Sequence, residues 1–322
     1  MSREGTGRSE VLVVGEYFCD LIFAGLSNVP RPGAEFFAGG LTVRPGGAYN
    51  MALALTRLGI DTSWAVDFGT DLFSRLVLEQ SARDHLDPAA FNLLAYDVQR
   101  VSAAFTHASE RGFISYSQTE VLPPPVALLD RLRPQWLLQT FRFSRPWLDF
   151  LRAARARDIR IFADCAHGDF TLETPGVREF LSLVDIFSPN EAEALSLTGR
   201  HEVDEALDDL TAIVPAVLVK CGSLGASAIA RGRHFDVAAP SVEVVDTVGA
   251  GDAFNAGFLA GAVWESGFEE CVRLAVACGT LSTLGAGNAA LPDGAELSAY
   301  AAGLPGATPP PGSVSCLAFL TS

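Results

Sequence analysis

The sequence predicts an α/β fold: a mainly parallel sheet with helices on both faces, and a second, smaller β-sheet beside it. Three observations carry this. From residue 136 onward, short apolar β-rich runs alternate with helical patterns, the signature of strands joined by crossover helices. Residues 20–45 and 95–120 have a different texture, with short β-rich runs and weak helical periodicity. Hydrophobic residues make up 49% of the 322, enough to fill a large core.

Each element has its own local signal. VLVV at 11–14 is apolar throughout, as a strand buried on both faces requires. AYNMALALTRL at 48–58 places Met51, Leu55 and Leu58 on one helical face and stops at Gly59, a C-terminal cap residue. VSAAFT (101–106) and GFISYS (112–117) flank a polar stretch and predict a hairpin. WLLQ (136–139), IRIFAD (159–164), VDIF (184–187), VLVK (217–220) and VEVV (242–245) are strand candidates. Helical patterns at 147–157 and 205–214 lie between them, and two long helices at about 250–264 and 269–284 close the series. The expected organisation is a loose tail at 1–9, one domain over 10–300, and an irregular Pro/Gly-rich tail over 301–322.

Composition narrows the function. Lys plus Arg is 23 and Asp plus Glu is 38, a formal charge of −15, which makes nucleic acid and anionic membranes poor partners. A phosphate-bearing ligand must then be held by local backbone amides or a bound cation. MSREGTGRSE is polar and does not resemble a signal peptide, and no run of apolar residues is long enough to span a bilayer. Six cysteines (Cys19, Cys165, Cys221, Cys271, Cys278 and Cys316) form no C-x-x-C pair. Reduced thiols in a cytoplasmic protein are expected. Cys165 and His167 lie two apart, but two ligands alone do not make a metal site.

The most informative stretch is VVDTVGAGDAFNAGF at 244–258. It predicts a strand running into a small-residue turn and then a helix. Amides at Ala250, Gly251 and Asp252 would emerge at the helix N-terminus, where unpaired N–H groups and the helix dipole favour an anion. Asp252 sits at the mouth of that site. A carboxylate beside an anion hole serves little purpose in binding phosphate alone. It does serve one if a substrate hydroxyl lies between them and gives up its proton as the phosphoryl group arrives. The competing reading is a helix N-cap, a position Asp also favours. A dinucleotide fingerprint starting at Gly249 fails, because its sixth position is Phe254. Gly285-Ala286-Gly287 follows a helix and not a strand, and no Walker-type loop occurs.

At these residues the chain resembles the ribokinase-like (PfkB) carbohydrate kinase family. DTVGAGDAFNAGFLAG (246–261) looks like the family's C-terminal signature, and PGGAYNMALALTRLG (45–59) fits its N-terminal motif. VVGEYFCD (13–20) matches a strand-Gly-x-x-x-x-Asp start with Gly15 and Asp20. Asn190-Glu191-Ala192-Glu193 matches Asn-x-x-Glu, and Lys220-Cys221-Gly222-Ser223-Leu224-Gly225 matches the family's strand-linked glycine loop. The motifs follow the family's order over about 10–290.

The resemblance implies a ribokinase-like three-layer α/β/α sandwich with a small β-sheet lid formed from about 20–45 and 95–120. It places the nucleotide-binding half at about 180–300. It implies ATP-dependent phosphorylation of a sugar hydroxyl, with ATP as co-substrate, Mg2+, and often K+. Carried over by position, Asp252 is the catalytic base, and Gly249, Ala250 and Gly251 form the anion hole. Asp20, Gly46, Gly47 and Asn50 bind the sugar. Asn190, Lys220, Gly222 and Gly225 bind the nucleotide. Asn190 and Glu193 hold Mg2+ through water, although the same pair also reads as a helix capping box. Asp246, Val248 and Gly287 resemble the monovalent-cation site of many family members. The lid implies a homodimer. Two alternatives stay open: a nucleoside kinase of the same family, and a non-catalytic sugar- or nucleotide-binding protein. Arg44, Arg100, Arg111 and Arg142 could meet a phosphate already on the acceptor.

Overall fold

The computed structural model describes residues 9–107, 110–165, 168–304 and 314–321. Of the expected loose tail at 1–9, residues 1–8 lie outside the described residues, as do the His167 position and most of the Pro/Gly-rich segment; Ser9 is buried, its hydroxyl donating to the chain at Val11 O and Asp61 O. Among the described residues no helix is long and apolar enough to cross a membrane.

Among the described residues, thirteen strands make two sheets. In chain order they are β1 (Val11–Val14), β2 (Tyr17–Ala24), β3 (Gly40–Gly47), β4 (Thr62–Phe68), β5 (Phe91–Leu93), β6 (Arg100–His107), β7 (Glu110–Ser117), β8 (Trp136–Thr140), β9 (Arg160–Asp164), β10 (Ile186–Ser188), β11 (Ala216–Lys220), β12 (Ala226–Ala230) and β13 (Arg233–Val237). The large sheet has nine strands in the order β13-β12-β11-β10-β9-β8-β1-β4-β5. It is parallel except at β11–β12 and β12–β13. Strand order reverses beside β1, between β8 and β4, a switch point that opens a crevice at the carboxyl ends of the strands.

The apolar runs bury both faces of this sheet. Val11 and Val13 join the core under helix Ala250–Val263, whereas Leu12 and Val14 join the core under helix Arg145–Arg155. Two helix layers thus enclose one sheet, as the sequence predicts. Helix Ala48–Arg57 buries Met51 and Leu55 on the first of these faces.

The small sheet is β3-β2-β6-β7, with β6 and β7 paired as the expected hairpin. The chain leaves β1 and enters β2 across only Gly15 and Glu16, so the second sheet grows directly from the carboxyl edge of the first. A Cβ on Gly15 would lie 2.9 Å from the Ala48 Cβ, so this crossing demands a glycine.

Two expectations need correction. VEVV (242–245) is not a strand: Val244 and Val245 are exposed, and Val245 N–H and the following Asp246 N–H both donate to Thr283 O, just past helix Phe268–Ser282. Both flanking valines lack a ladder partner, so β-propensity has nothing to act on. The end of the chain is also less irregular than expected. Helix Gly294–Ala302 reaches into the first two residues of the expected 301–322 tail, and helix Cys316–Thr321 buries Cys316 and packs Phe319 against Phe235 and Phe268.

Candidate active site

The site is assembled where the two sheets meet. Helix Ala250–Val263 starts after Gly249, whose φ of +81° is a left-handed turn that favours glycine. Ala250 N–H is drawn back to Thr247 O at 3.3 Å. The amides of Gly251 and Asp252 lie in the first turn, where no helical carbonyl precedes them. Asp252 is thus a first-turn acid, close to Lys220 and Asp20 electrostatically.

A relay of amides orients that carboxylate. Asn50 Nδ2 donates to Asp252 Oδ2 at 3.0 Å, and Asn288 Nδ2 donates to Asn50 Oδ1 at 3.2 Å. Arg57, in the last turn of the Asn50 helix, holds Asn288 O at 2.8 Å. Asn50 is buried, so its own amide has few other conformations open to it.

Beside Asp252 lies a largely buried ion pair, its side chains 14% and 15% exposed. Lys220 Nζ, at the end of β11, meets Asp164 Oδ1, at the end of β9, at 2.6 Å. Burial opposes the lysine charge, but Asp164, Glu193 and Asp252 more than offset it, and its pKa ends above the usual value. A Cβ on Gly251 would lie 3.8 Å from Nζ, which fixes the ammonium beside the helix start. Burial pushes Asp252 up to about 7, with Asp164 adding to the rise, Asn50 and Lys220 opposing it, and Asp20 adding a further rise. Asp20 therefore shares the crevice electrostatically.

Asp20 lies on the inner face of the small sheet, opposite Arg44 in register. Burial pushes it up to about 6 against the pull of Arg44. Its carboxylate leans over the neighbouring strand, so that a Cβ on Gly46 would fall 2.2 Å from Asp20 Oδ2. Gly47 has φ +67°, and a Cβ there would meet Glu16 O at 2.7 Å. The glycine pair is thus required by close approach, and it leads directly into the helix that carries Asn50.

A cavity of about 500 Å3 adjoins the same helix start. Lys220, Gly222 and Gly225 line it from the glycine loop, and Thr247, Ala250 and Gly251 from the turn. Val242, Val244 and Val276 give it apolar walls. This explains the missing strand at 242–245, which serves as a wall of the cleft. Asn190 and Glu193 form a reciprocal cap, with Asn190 N–H to Glu193 Oε2 at 2.8 Å and Glu193 N–H to Asn190 Oδ1 at 2.9 Å. Both roles foreseen for this pair remain compatible, since Glu193 also acts electrostatically on Lys220.

The monovalent-cation expectation meets a different arrangement. Asp246 Oδ2 accepts Arg44 Nη1 at 3.2 Å, Arg44 Nη2 at 3.3 Å and Gly287 N–H at 3.0 Å. Its Oδ1 accepts Val248 N–H at 3.0 Å. Val248 and Gly287 do converge on the Asp246 carboxylate, but that carboxylate is paired with the Arg44 guanidinium. No group of three or more His, Cys, Asp or Glu side chains suited to a metal occurs among the described residues.

The other arginines are engaged as well. Arg142 pairs with both carboxylate oxygens of Glu16, and Arg100 donates to Asp67 O at 3.3 Å and Thr119 Oγ1 at 3.2 Å. The Arg111 side chain lies outside the described residues. Asp164, Asn288 and the Arg44–Asp246 pair escaped the sequence reading. Asp164 ends a predicted strand inside ADCAHGD, a place where strand-end acids enter α/β clefts, but its partner is 56 residues away.

Comparison with known proteins follows the same lines. Residues 147–293 match the model of the pfkB family carbohydrate kinases. The Haemophilus influenzae ribokinase is 23% identical over 298 residues, covering 85% of this chain and 92% of that one. A Klebsiella pneumoniae fructokinase is 29% identical over 274 residues, covering 76% and 87%. Arabidopsis thaliana ribokinase, solved with ribose and ATP, superposes with a TM-score of 0.78 at 21% identity, covering 91% of this chain and 99% of that one. An Escherichia coli protein solved with ATP and Mg2+ gives 0.76 at 23% identity, covering 91% and 98%.

Proposed function

We propose, from the premise that this chain belongs to the PfkB family of carbohydrate kinases and is an ATP-dependent sugar kinase, that Asp252 is its catalytic base. One observation carries the reading. A carboxylate pushed up to about 7 stands in the first turn of a helix, held by Asn50 and flanked by the Asp164–Lys220 pair. A base that titrates near working pH is well matched to take a hydroxyl proton.

The acceptor sugar lies between Asp252 and the small sheet. Asp20 and Asn50 hold its hydroxyls, since a carboxylate accepts two hydrogen bonds and an amide both donates and accepts. Gly46 and Gly47 let the ring approach the backbone. ATP occupies the cavity of about 500 Å3, with its phosphates towards Gly249, Ala250 and Gly251 and its base against Val276 and the glycine loop. As the hydroxyl oxygen bonds to the γ-phosphorus, its proton passes to Asp252 and the bond to the bridging oxygen breaks to release ADP; the Gly251 and Asp252 amides with Lys220 stabilise charge on the transferring group. Mg2+ fits beside Asn190 and Glu193 through its waters, since hard cations keep much of their hydration; when bound it neutralises phosphate charge.

Arg44 and Arg142 are held in ion pairs with Asp246 and Glu16, so neither is free for a phosphate on the acceptor, which favours an acceptor without one. The small sheet acts as a lid, closing water out of the reaction. Its outer face carries Leu41, Val43, Ile114 and Tyr116, all well exposed, and this supports a homodimer joined through the lid.

The test is a panel of sugars and nucleosides with MgATP, run on the wild-type chain and on Asp252→Asn. Sugar-dependent ATP consumption that falls about 10^3-fold in the variant is the expected result. Near-normal turnover in the variant removes Asp252 as base. Consumption driven by nucleosides over sugars reassigns the acceptor, and none with any acceptor leaves a binding protein.

A further inference from the structure

The turn that precedes the anion hole is held by a carboxylate that accepts hydrogen bonds from donors of the protein itself. Val248 N–H satisfies Asp246 Oδ1; Gly287 N–H and both terminal nitrogens of Arg44 satisfy Oδ2. Arg44 and Asp246 have side chains only 16% and 15% exposed, so this pair is largely removed from solvent screening. The fit is tight around the guanidinium. A Cβ on Gly287, which sits at φ +59°, would fall 2.0 Å from Arg44 Nη1. A cation ligated by Asp246 would have to displace the guanidinium and share its volume.

We propose that Arg44 is a tethered cation that replaces a monovalent metal ion at Asp246, so that the phosphate-binding turn is held without K+. The proposal rests on the kinase reading only in naming that turn as phosphate-binding. Its physical basis is simpler. An ionised carboxylate of low exposure requires positive charge nearby, and a guanidinium supplies it permanently, with two donors in one plane. A free K+ would have to be drawn from solution and would leave when its concentration fell. Arg44 also reaches Asp246 from strand β3 of the small sheet, across 202 residues of sequence. The charge that steadies the turn is therefore delivered by the lid itself, and Arg44 is a positioning residue.

The experiment compares the wild-type chain in KCl and in tetramethylammonium chloride at equal ionic strength. Two readouts are taken: the thermal unfolding midpoint, and the MgATP dissociation constant by calorimetry. The wild type is expected to give the same values in both salts. Arg44→Ala is expected to bind MgATP about tenfold more weakly in tetramethylammonium, a loss typical of a broken partly buried charge pair, with recovery in K+. The double variant Arg44→Ala/Asp246→Asn should lose the K+ response, and Arg44→Lys should remain independent of K+. A K+-specific rise in the wild-type midpoint or MgATP affinity overturns the proposal, as does an Arg44→Ala protein indifferent to K+. If Arg44→Ala fails to fold, the wild-type and Arg44→Lys comparisons still decide. Absence of MgATP binding in every salt contradicts the kinase reading instead, and the unfolding midpoints then judge Arg44 alone.

Discussion

Asp252 carries a cost for the fold and an advantage for chemistry. Its folded pKa of about 7 lies above the usual carboxylate value of 3.8, because burial disfavours the charged form. A raised pKa means that the folded chain binds the proton more tightly than the unfolded one. The stability this gives is full below the unfolded pKa and is lost as pH rises through the folded one. Asp252→Asn should therefore unfold later than the wild type at pH 8, by about 2 kcal/mol, and the gap should close as pH falls towards 4. Denaturant titration at the two pH values checks this. Catalysis runs the other way: kcat/KM for the sugar should rise with pH through about 7 as Asp252 ionises. At Gly46, a methyl group would strike Asp20 Oδ2 and turn that carboxylate out of the site. Gly46→Ala should raise the sugar KM at least about tenfold, as loss of a charge-assisted hydrogen bond requires, with little change in MgATP affinity.

Two elements place these residues. Helix Ala250–Val263 lies against helix Phe268–Ser282 at very short range: a Cβ on Gly257 would meet Cys278 Cβ and Leu274 O, both at 2.6 Å. Gly257→Ala should force the helices apart and cost about 1–3 kcal/mol, measured by thermal or denaturant unfolding. Helix Leu72–Arg83 is anchored by Asp71, which accepts Ser74 N–H at 3.0 Å, Val98 N–H at 3.0 Å and Gln99 N–H at 3.2 Å. Burial opposes the charge on Asp71, but these donors outweigh it and draw the group down to about 2. A depressed pKa gives stability above the unfolded value that is lost as pH falls through the folded one. Asp71→Ala should cost about 1–2 kcal/mol near pH 7 and less near pH 2, a difference readable by urea melts at both values. That cap was not seen in the sequence, because two of its donors come from the approach to β6, some 27 residues away.

At the scale of the molecule, one edge does the organising. The large parallel sheet ends at Gly15, Asp164, Asn190 and Lys220 on the same carboxyl edge, and the small sheet grows from that edge at Glu16. Its inner face presents Asp20 and Arg44 to the cleft, and its outer face is apolar. A dimer through that outer face should dissociate when Ile114 is replaced by Asp, as light scattering would report, because a charge in an apolar contact is left unpaired.

The division between sequence and tertiary structure follows from distance along the chain. Local signals determined the elements: apolar runs as strands, the Asn190–Glu193 spacing as a cap, and the small-residue turn at 249–251 as a helix start with Asp252 inside it. Ordered motifs placed Asp20, the glycine pair and Asn50 among the candidate site residues before any contact was visible. The folded chain decided everything that depends on residues far apart. It joined Asn50 to Asp252 and Arg44 to Asp246, each across 202 residues, and Lys220 to Asp164 across 56. It turned VEVV from a strand into the wall of a cleft. Charge pairing and strand partnership act through space, and a sequence records only which residues are available to take part.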